Sequence, residues 1–273
     1  MDGRLRVLTL NLWGLGGDWP ARREVIRRGL SELAPDLIAF QEAFKLDEQD
    51  SVSEVVDAEY HVVHQTGGVL GDGNCAAIAS RWRPARVHEL DQQLTARTAA
   101  FPVTTLIAEI EAPDPLGQLL FVNHLPSWEP QLELERGLQT AAAARRIEEL
   151  LEGRRAHVVL AGDLDATPDA SSTRFLRGLQ PLGDLSVCYR DAWEAAHGRE
   201  PGHTFALPNP LTAEESSVRQ EVSRRIDYVF VRCDERGPTL AIAACELVFD
   251  QPVAGIWASD HFGVVADLEA VGR

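Results

Sequence analysis

Two carboxylates two residues apart, Asp163 and Asp165, close an apolar run in the stretch His157 to Pro168, H-V-V-L-A-G-D-L-D-A-T-P. The run reads as a buried strand that breaks at Gly162, after which Thr167, Pro168 and Asp169 open a helix. Carboxylates at the C-terminal end of a buried strand stand on a rigid edge facing a crevice, a common place for chemistry in α/β proteins. Other runs end in the same way. Leu5 to Leu12 (L-R-V-L-T-L-N-L) delivers Asn11, and Asp36 to Ala43 (D-L-I-A-F-Q-E-A) delivers Gln41 and Glu42. The run ending F-V-N-H-L-P-S-W delivers His124, with Trp128 just beyond. Arg224 to Val231 carries Asp227 inside an apolar strand, where an unpaired carboxylate is costly, so a His, an Arg or a metal should partner it. Asp260 and His261 precede the last apolar run, at that strand's N-terminal end. Singly, each has an ordinary explanation: Asn as a turn former, Glu as a surface charge, His as a hydrogen-bonded structural residue.

The elements between these ends alternate in type. Pro20 suits a first helical turn, Val25, Ile26, Leu30 and Leu33 form a stripe at helical spacing, and Ala34-Pro35 ends the helix. Tyr60 to Gln65, Ala76 to Ser80 and Val87 to Leu90 read as short strands, with a plain hairpin loop over Gly67 to Gly73. Thr104 to Ile110 and Leu119 to Leu125 read as an antiparallel pair around the turn D-P-L-G. Glu129 to Gly153 reads as a long helix with Leu134, Leu138, Ala141, Ala144, Ile147 and Leu151 on its packed face, capped by Gly153 and carrying a solvated basic end at Arg145, Arg146, Arg154 and Arg155. Short helices follow over Ser171 to Leu176 and Tyr189 to His197. Gly198 to Ser217 is a long polar loop, of the kind that forms a substrate-binding edge. Thr239 to Asp250 is a further strand or strand pair.

The 273 residues contain no Pro/Gly/Ser-rich linker, repeat or low-complexity tract, which predicts one domain over 1–273. The net charge of −16 counts against tracking duplex nucleic acid through its phosphates, which needs clustered Lys and Arg. It leaves room for a small phosphorylated substrate whose charge a divalent cation offsets. Lys45 is the only lysine, a compositional bias. The four cysteines lack C-x-x-C spacing and read as reduced thiols, Cys75 and Cys188 near loops, Cys233 and Cys245 near or in strands. No apolar run is long enough to span a bilayer, and the first strand begins at once, so a cytoplasmic protein is the expectation.

Taken together, Asn11, Glu42, His124, Asp163, Asp165, Asp227, Asp260 and His261 stand in the order Asn, Glu, His, Gly-Asp-x-Asp, Asp, Asp-His. With the segments L-N-L-W, Q-E-A, A-G-D-L-D-A-T-P-D, R-I-D-Y-V and S-D-H-F-G-V, the chain resembles the endonuclease/exonuclease/phosphatase superfamily of DNase-like metal phosphoesterases, from residue 7 to residue 268. The resemblance implies an α+β, four-layer α/β sandwich: two mixed β-sheets packed face to face, with helices on the outer faces. It also implies Mg2+ or Mn2+, hard cations that favour oxygen ligands, held mainly by Glu42 with Asp260 and Asn11 nearby. On that pattern Asp163 orients and deprotonates water, His261 bonds the phosphoryl group, and Asp227 fixes the tautomer of His261. His124 is a second phosphate donor, and Asn11 and Trp128 help to hold the substrate.

One position departs from the family, which usually has Asn where this chain has Asp165. An ionised carboxylate cannot donate the hydrogen bond that an amide donates. Three readings stand open: Asp165 recruits a second cation, it is protonated or turned away with activity kept, or the chain is a weak or inactive relative. Trp13, Trp19 and Trp128 lie on or beside strand-end loops, where an aromatic rim would suit a base, a sugar or a lipid headgroup. The leading expectation is hydrolysis of a small phosphodiester or phosphomonoester by in-line attack of activated water. The alternatives are a nuclease, a sphingomyelinase-like phospholipase and a non-catalytic metal- or partner-binding relative.

Overall fold

Alternation along the strands sorts their side chains into three buried layers, and these layers define the architecture. The computed structural model describes residues 3–67, 73–215 and 223–271. In chain order the elements are β1 (Arg4–Asn11), α1 (Trp19–Leu33), β2 (Leu37–Phe44), α2 (Ser51–Val55), β3 (His61–His64), β4 (Asn74–Ser80), β5 (Arg86–Asp91), β6 (Thr104–Ala112), β7 (Gly117–Asn123) and α3 (Glu133–Leu151). They continue with β8 (His157–Asp163), α4 (Ser171–Leu176), β9 (Tyr189–Asp191), α5 (Ala192–His197), α6 (Pro210–Glu215), β10 (Asp227–Asp234), β11 (Gly237–Pro238), β12 (Leu240–Val248) and β13 (Gly263–Ala270). One sheet runs β12-β13-β1-β2-β4-β3; the other runs β11-β10-β8-β7-β6-β5, with β9 beside β10. Both are mixed, since β1 pairs in parallel with β2 and β7 with β8, while their other pairings are antiparallel.

Leu5 and Val7 of β1, Leu37 and Ala39 of β2, Phe121 of β7, Val159 and Ala161 of β8, and Val229 and Val231 of β10 meet in the layer between the sheets. The intervening residues Leu8, Leu10, Ile38 and Phe40 face outward and pack against Trp19, Ile26 and Leu30 of α1 and Val52 and Val55 of α2. On the far side Leu120, Val122, Val158, Leu160, Tyr228 and Phe230 pack against Ala144 and Ile147 of α3 and Phe175 and Leu176 of α4. This is the expected four-layer sandwich. The period of two then carries each inward series to its end: Asn11 after Thr9, Asp163 after Ala161, and Asp227 before Val229. The strand ends therefore meet at one edge of the inter-sheet layer.

Several elements differ from the sequence expectations. β8 continues through Gly162 to Asp163, because a Gly in an otherwise apolar strand can serve close backbone approach as well as a break. The helix after it starts only at Ser171, with Pro168 and Asp169 in a turn. Tyr189–Asp191 is a short strand leading into α5, not helix. Cys75 lies inside β4, and all four thiols are free. The loop from Gly198 contains α6, while its last residues, and most of the Gly67 to Gly73 hairpin, lie outside the described residues. In α3, which starts at Glu133 after a short 3-10 turn, Leu134 and Leu138 are exposed, whereas Arg136, Gln139 and Thr140 are buried. The first turns of that helix face a loop full of backbone carbonyls, not an apolar layer. Of the basic residues at and just beyond its end, Arg145 pairs with Asp184, Arg146 with Glu149 and Arg154 with Glu109.

Gly162 is fixed by the close approach of β7 to β8. His124 donates its backbone N–H to Ala161 at 3.0 Å, and a Cβ on Gly162 would stand 2.0 Å from the His124 carbonyl oxygen. Backbone must move to admit even a methyl group. We expect Gly162→Ala to destabilise the fold by about 3 kcal/mol, read as a fall in the midpoint of chemical denaturation.

Candidate active site

Asn11 links three of the strand ends. Its amide nitrogen donates to Glu42 Oε1 at 2.8 Å and to Asp163 Oδ2 at 3.1 Å, and its oxygen accepts from the Trp13 backbone N–H at 2.9 Å. Glu42 reaches this side through a break in the alternation of β2. The register with β4 shifts between Phe40 and Ala43, and Glu42 has φ 47°. A non-glycine residue in the left-handed region persists where surrounding structure over-determines it, commonly at functional sites. Beneath lies a buried polar seam: Thr9 donates to Gln41 at 3.1 Å, Gln41 donates to Asn123 at 2.8 Å, and Asn123 donates to carbonyls of Phe40 and Ala77.

His261 and Asp227 form the second half of the site. Their Nδ1 and Oδ2 atoms are 3.0 Å apart, and His261 Nε2 lies 3.8 Å from Asp163 Oδ2. The carboxylate on Nδ1 assigns the proton to that nitrogen and points Nε2 at Asp163. Burial opposes charge on His261, but Asp227, Asp163 and Asp260 outweigh it and hold the imidazolium well above the ordinary histidine range. Burial, with Asp260 and Asp163 adding repulsion, pushes Glu42 up to about 7. Burial and the neighbouring carboxylates of Asp165 and Asp227 raise Asp163 well above the ordinary aspartate range. Asp165 is pushed to about 6 by burial, against the opposing fields of His261, Arg224 and Arg136. It also has φ 49°, and its backbone N–H donates to Asp163 Oδ1 at 3.0 Å, a compact turn that suits Asn or Asp.

These residues fit a divalent cation. Asp163, Asp227 and His261 each place a ligand-capable atom within 4.8 Å of the others, and among the described residues none hydrogen-bonds the buried Asp227 Oδ1. Within that trio His261 is hydrogen-bonded to Asp227. The oxygen donors of Glu42, Asp260 and Asn11 are the better match to a hard ion.

Two expectations fail on burial. His124 is sealed from solvent: Nδ1 lies 2.8 Å from the Thr105 hydroxyl and Nε2 3.2 Å from that of Thr140. Since Thr140 donates its own hydrogen to the Arg136 carbonyl, it accepts from His124, which is neutral and structural, with no ring nitrogen left for phosphate. Trp13 and Trp19 are buried too and form no rim; Trp128 is half exposed.

Sequence reasoning missed the residues that hold the loops. Arg22 is buried, and its guanidinium donates to the carbonyls of Leu12, Gly14, Gly16 and Ala258, tying the Asn11 loop to the segment leading into Asp260. Trp13 and Trp19 flank it at 5.0 and 5.3 Å. Arg136 donates to carbonyls of Ser127, Glu129 and Pro130, while Gln139 brackets Ser127 and Gln92. In the long loop, the Thr204 hydroxyl accepts from Asp227 N–H, Asn209 and Thr212 donate to carbonyls of Ser259 and Asp260, and Phe205 packs on the His261 ring at 4.9 Å. That loop buttresses the site from behind. The i, i+3, i+4 spacing of Arg136, Gln139 and Thr140 puts them on one helix face, the signal from which they could have been found.

Burial lowers the His124 pKa to about 3, so the folded state refuses a proton that the unfolded chain accepts near 6.5. Between these values the unfolded state binds more protons, and stability falls as pH falls. We expect a loss of about 2–3 kcal/mol from this group between pH 6.5 and 4.5. Comparing denaturation of the wild type and His124→Gln across that range measures it; parallel pH curves would contradict it.

The chain matches the model of the Endonuclease/Exonuclease/phosphatase family over residues 8–261. No curated protein matches it significantly in sequence. Among solved structures, D. rerio TDP2 complexed with single strand DNA product is similar, at 21% identity and TM-score 0.74, over 98% of this chain and 100% of that one. So is an endonuclease/exonuclease/phosphatase family protein from Bacteroides thetaiotaomicron, at 18% and 0.72, over 98% and 95%. The human Nocturnin catalytic domain with bound sulfate anion gives 16% and 0.73, over 98% and 94%. At these identities the structures establish a shared fold. Together with the family match across nearly all of its length, they show that this chain belongs to the Endonuclease/Exonuclease/phosphatase family of metal-dependent phosphoesterases.

Proposed function

We propose that the protein hydrolyses a small phosphodiester or phosphomonoester with Mg2+ or Mn2+, by in-line attack of water and without a covalent enzyme intermediate. The observation that carries this reading is the bonded pair Asp227 and His261 beside Asp163, with Glu42 and Asn11 across the same edge. Glu42, Asp260 and Asn11 would hold the cation. Once bound, that ion supplies Lewis-acid polarisation of a phosphoryl oxygen and neutralises developing charge.

The chain's own groups divide the remaining work. Asp163 orients the attacking water and takes its proton; a carboxylate whose proton affinity is raised by burial is suited to that role. The imidazolium of His261 donates from Nε2 to the phosphoryl oxygen where charge grows. Asp227 keeps the Nδ1 proton in place and leaves Nε2–H on the side of Asp163. Asn11 holds Glu42 and Asp163 at fixed separation through one amide.

The net charge of −16 favours a small substrate over a duplex. Among the described residues no helix is long and apolar enough to cross a membrane. Trp128 supports a second reading, a phosphodiesterase acting on single strands. It is an exposed aromatic on the loop after β7, and stacking on one base needs no basic track.

The test is a panel of phosphomonoesters, phosphodiesters, nucleotides, sphingomyelin and single- and double-stranded DNA, each with Mg2+, with Mn2+ and with chelator. We expect chelator to abolish turnover, and Asp163→Asn and His261→Gln each to lower kcat about 10³-fold. A small ester turned over faster than any strand upholds the first reading, and preference for single strands the second. Metal-independent turnover, or full activity in Asp163→Asn, rejects both.

A further inference from the structure

Two of the four free thiols face each other across neighbouring strands. The antiparallel register of β9 and β10 pairs Phe230 with Asp191, Val231 with Arg190 and Arg232 with Tyr189. Continued by one residue, it sets Cys233 opposite Cys188, and the Cys233 backbone N–H donates to the Cys188 carbonyl at 2.8 Å. Directly opposed residues of an antiparallel pair project their side chains on one face. In a hydrogen-bonded pair the Cα atoms stand about 5.5 Å apart, within the span of about 4.4–6.8 Å that a disulfide bridges. Cys188 is exposed and Cys233 half-buried, so a reagent in solution reaches the first directly.

The chain is held on both sides of this meeting point. Before Cys188, Leu182, Leu185 and Val187 pack into the layer beneath α3, and Asp184 pairs with Arg145 of that helix at 2.6 Å. After it, Asp191 caps α5 and pairs with buried Arg225 at 2.7 Å. Separating Cys188 from Cys233 would disturb both sets of contacts. The other two cysteines differ. Cys75 and Cys245 are buried in β4 and β12, and burial pushes both thiols up to about 12. They have neither the access nor the thiolate character that exchange requires. Burial and the adjoining Cys188 push the Cys233 thiol up to about 11, so exposed Cys188 is the point of entry.

We propose that Cys188 and Cys233 are a reversible modification site, a cross-strand pair that a low-molecular-weight disulfide such as oxidised glutathione converts to an intramolecular disulfide. The Cys188 thiolate attacks one sulfur of the oxidant, whose S–S bond breaks and releases one thiolate. The Cys233 thiolate then attacks the Cys188 sulfur of that mixed disulfide and expels the second. Two protein thiols are oxidised, the oxidant is reduced to two thiols, and the two protein protons pass to the expelled sulfurs. The new bond closes a loop over residues 188–233. That loop contains Asp227 and the residues Thr204, Phe205, Asn209 and Thr212, which brace Asp227 and the His261 segment. Closing a long loop constrains the unfolded chain, so the bond acts as a staple at the base of that segment.

The test holds the native full chain in mixtures of reduced and oxidised glutathione, quenches with acid, alkylates the remaining thiols in denaturant and maps the digest by mass spectrometry. We expect one linked peptide pair, Cys188 to Cys233, with Cys75 and Cys245 alkylated and the link fully reversed by dithiothreitol. In Cys233→Ser, glutathione remains on Cys188, because no second thiol expels it. Oxidation of the wild type raises its midpoint of thermal unfolding by about 5 °C, a shift absent from Cys188→Ser. The oxidised and reduced wild type are compared directly, so the result does not depend on how a variant folds. Unreacted thiols, glutathione retained on Cys188 of the wild type, a disulfide between two chains, or a link to Cys75 or Cys245 overturns the proposal. A correct link with an unchanged or lowered midpoint overturns the staple.

Discussion

Carboxylates crowded at the edge of a low-dielectric layer repel one another, and the site is built around containing that repulsion. Glu42, Asp163, Asp165, Asp227 and Asp260 converge there, and burial raises the proton affinity of Glu42, Asp163 and Asp165. One imidazolium, one bridging amide and the field of buried Arg22 oppose it from within. Such an arrangement disfavours the isolated chain and favours a bound cation, so stability is exchanged for readiness to bind. Two sheets packed on a buried interface keep the charges from relaxing apart. An edge made of strand ends has little freedom to swing outward.

The frame was readable because its signal is periodic. Inward-facing Leu5, Val7 and Thr9 predict the side on which Asn11 emerges, and Val159 and Ala161 do the same for Asp163. The demand that Asp227 find a partner was also readable, from the cost of burying a lone acid, and His261 answers it. Burial itself was less readable. His124 belongs to the motif by type and spacing, yet its environment comes from Thr105, Gln92 and Thr140, on segments whose arrangement no local pattern encodes. Trp13 and Trp19 misled for a related reason. Aromatics beside a loop suggest a rim until a guanidinium is found between them.

Much of the polar machinery serves backbone. Arg22, Arg136, Gln139, Asn209 and Thr212 direct their hydrogen bonds largely to main-chain carbonyls of segments flanking the site. A loop whose carbonyls are held by a fork or an amide loses many of its alternative conformations. The apparent oddity of α3, with leucines outside and polar residues inside, follows from that use.

The order of strands in the six-stranded sheet carries a consequence for biosynthesis. β1 lies between β2 and β13, so it is flanked on one side by a strand made more than 200 residues after it. Asp260 and His261 immediately precede that late strand. A nascent polypeptide emerging from the ribosome can assemble β1, β2 and β4 early, but it lacks the imidazole and has an open edge on β1 until β13 has been made. Non-local pairing of this kind slows folding and leaves an aggregation-prone edge to be shielded in the interval. Competence is therefore acquired in one late step, once β13 has emerged and closes on β1.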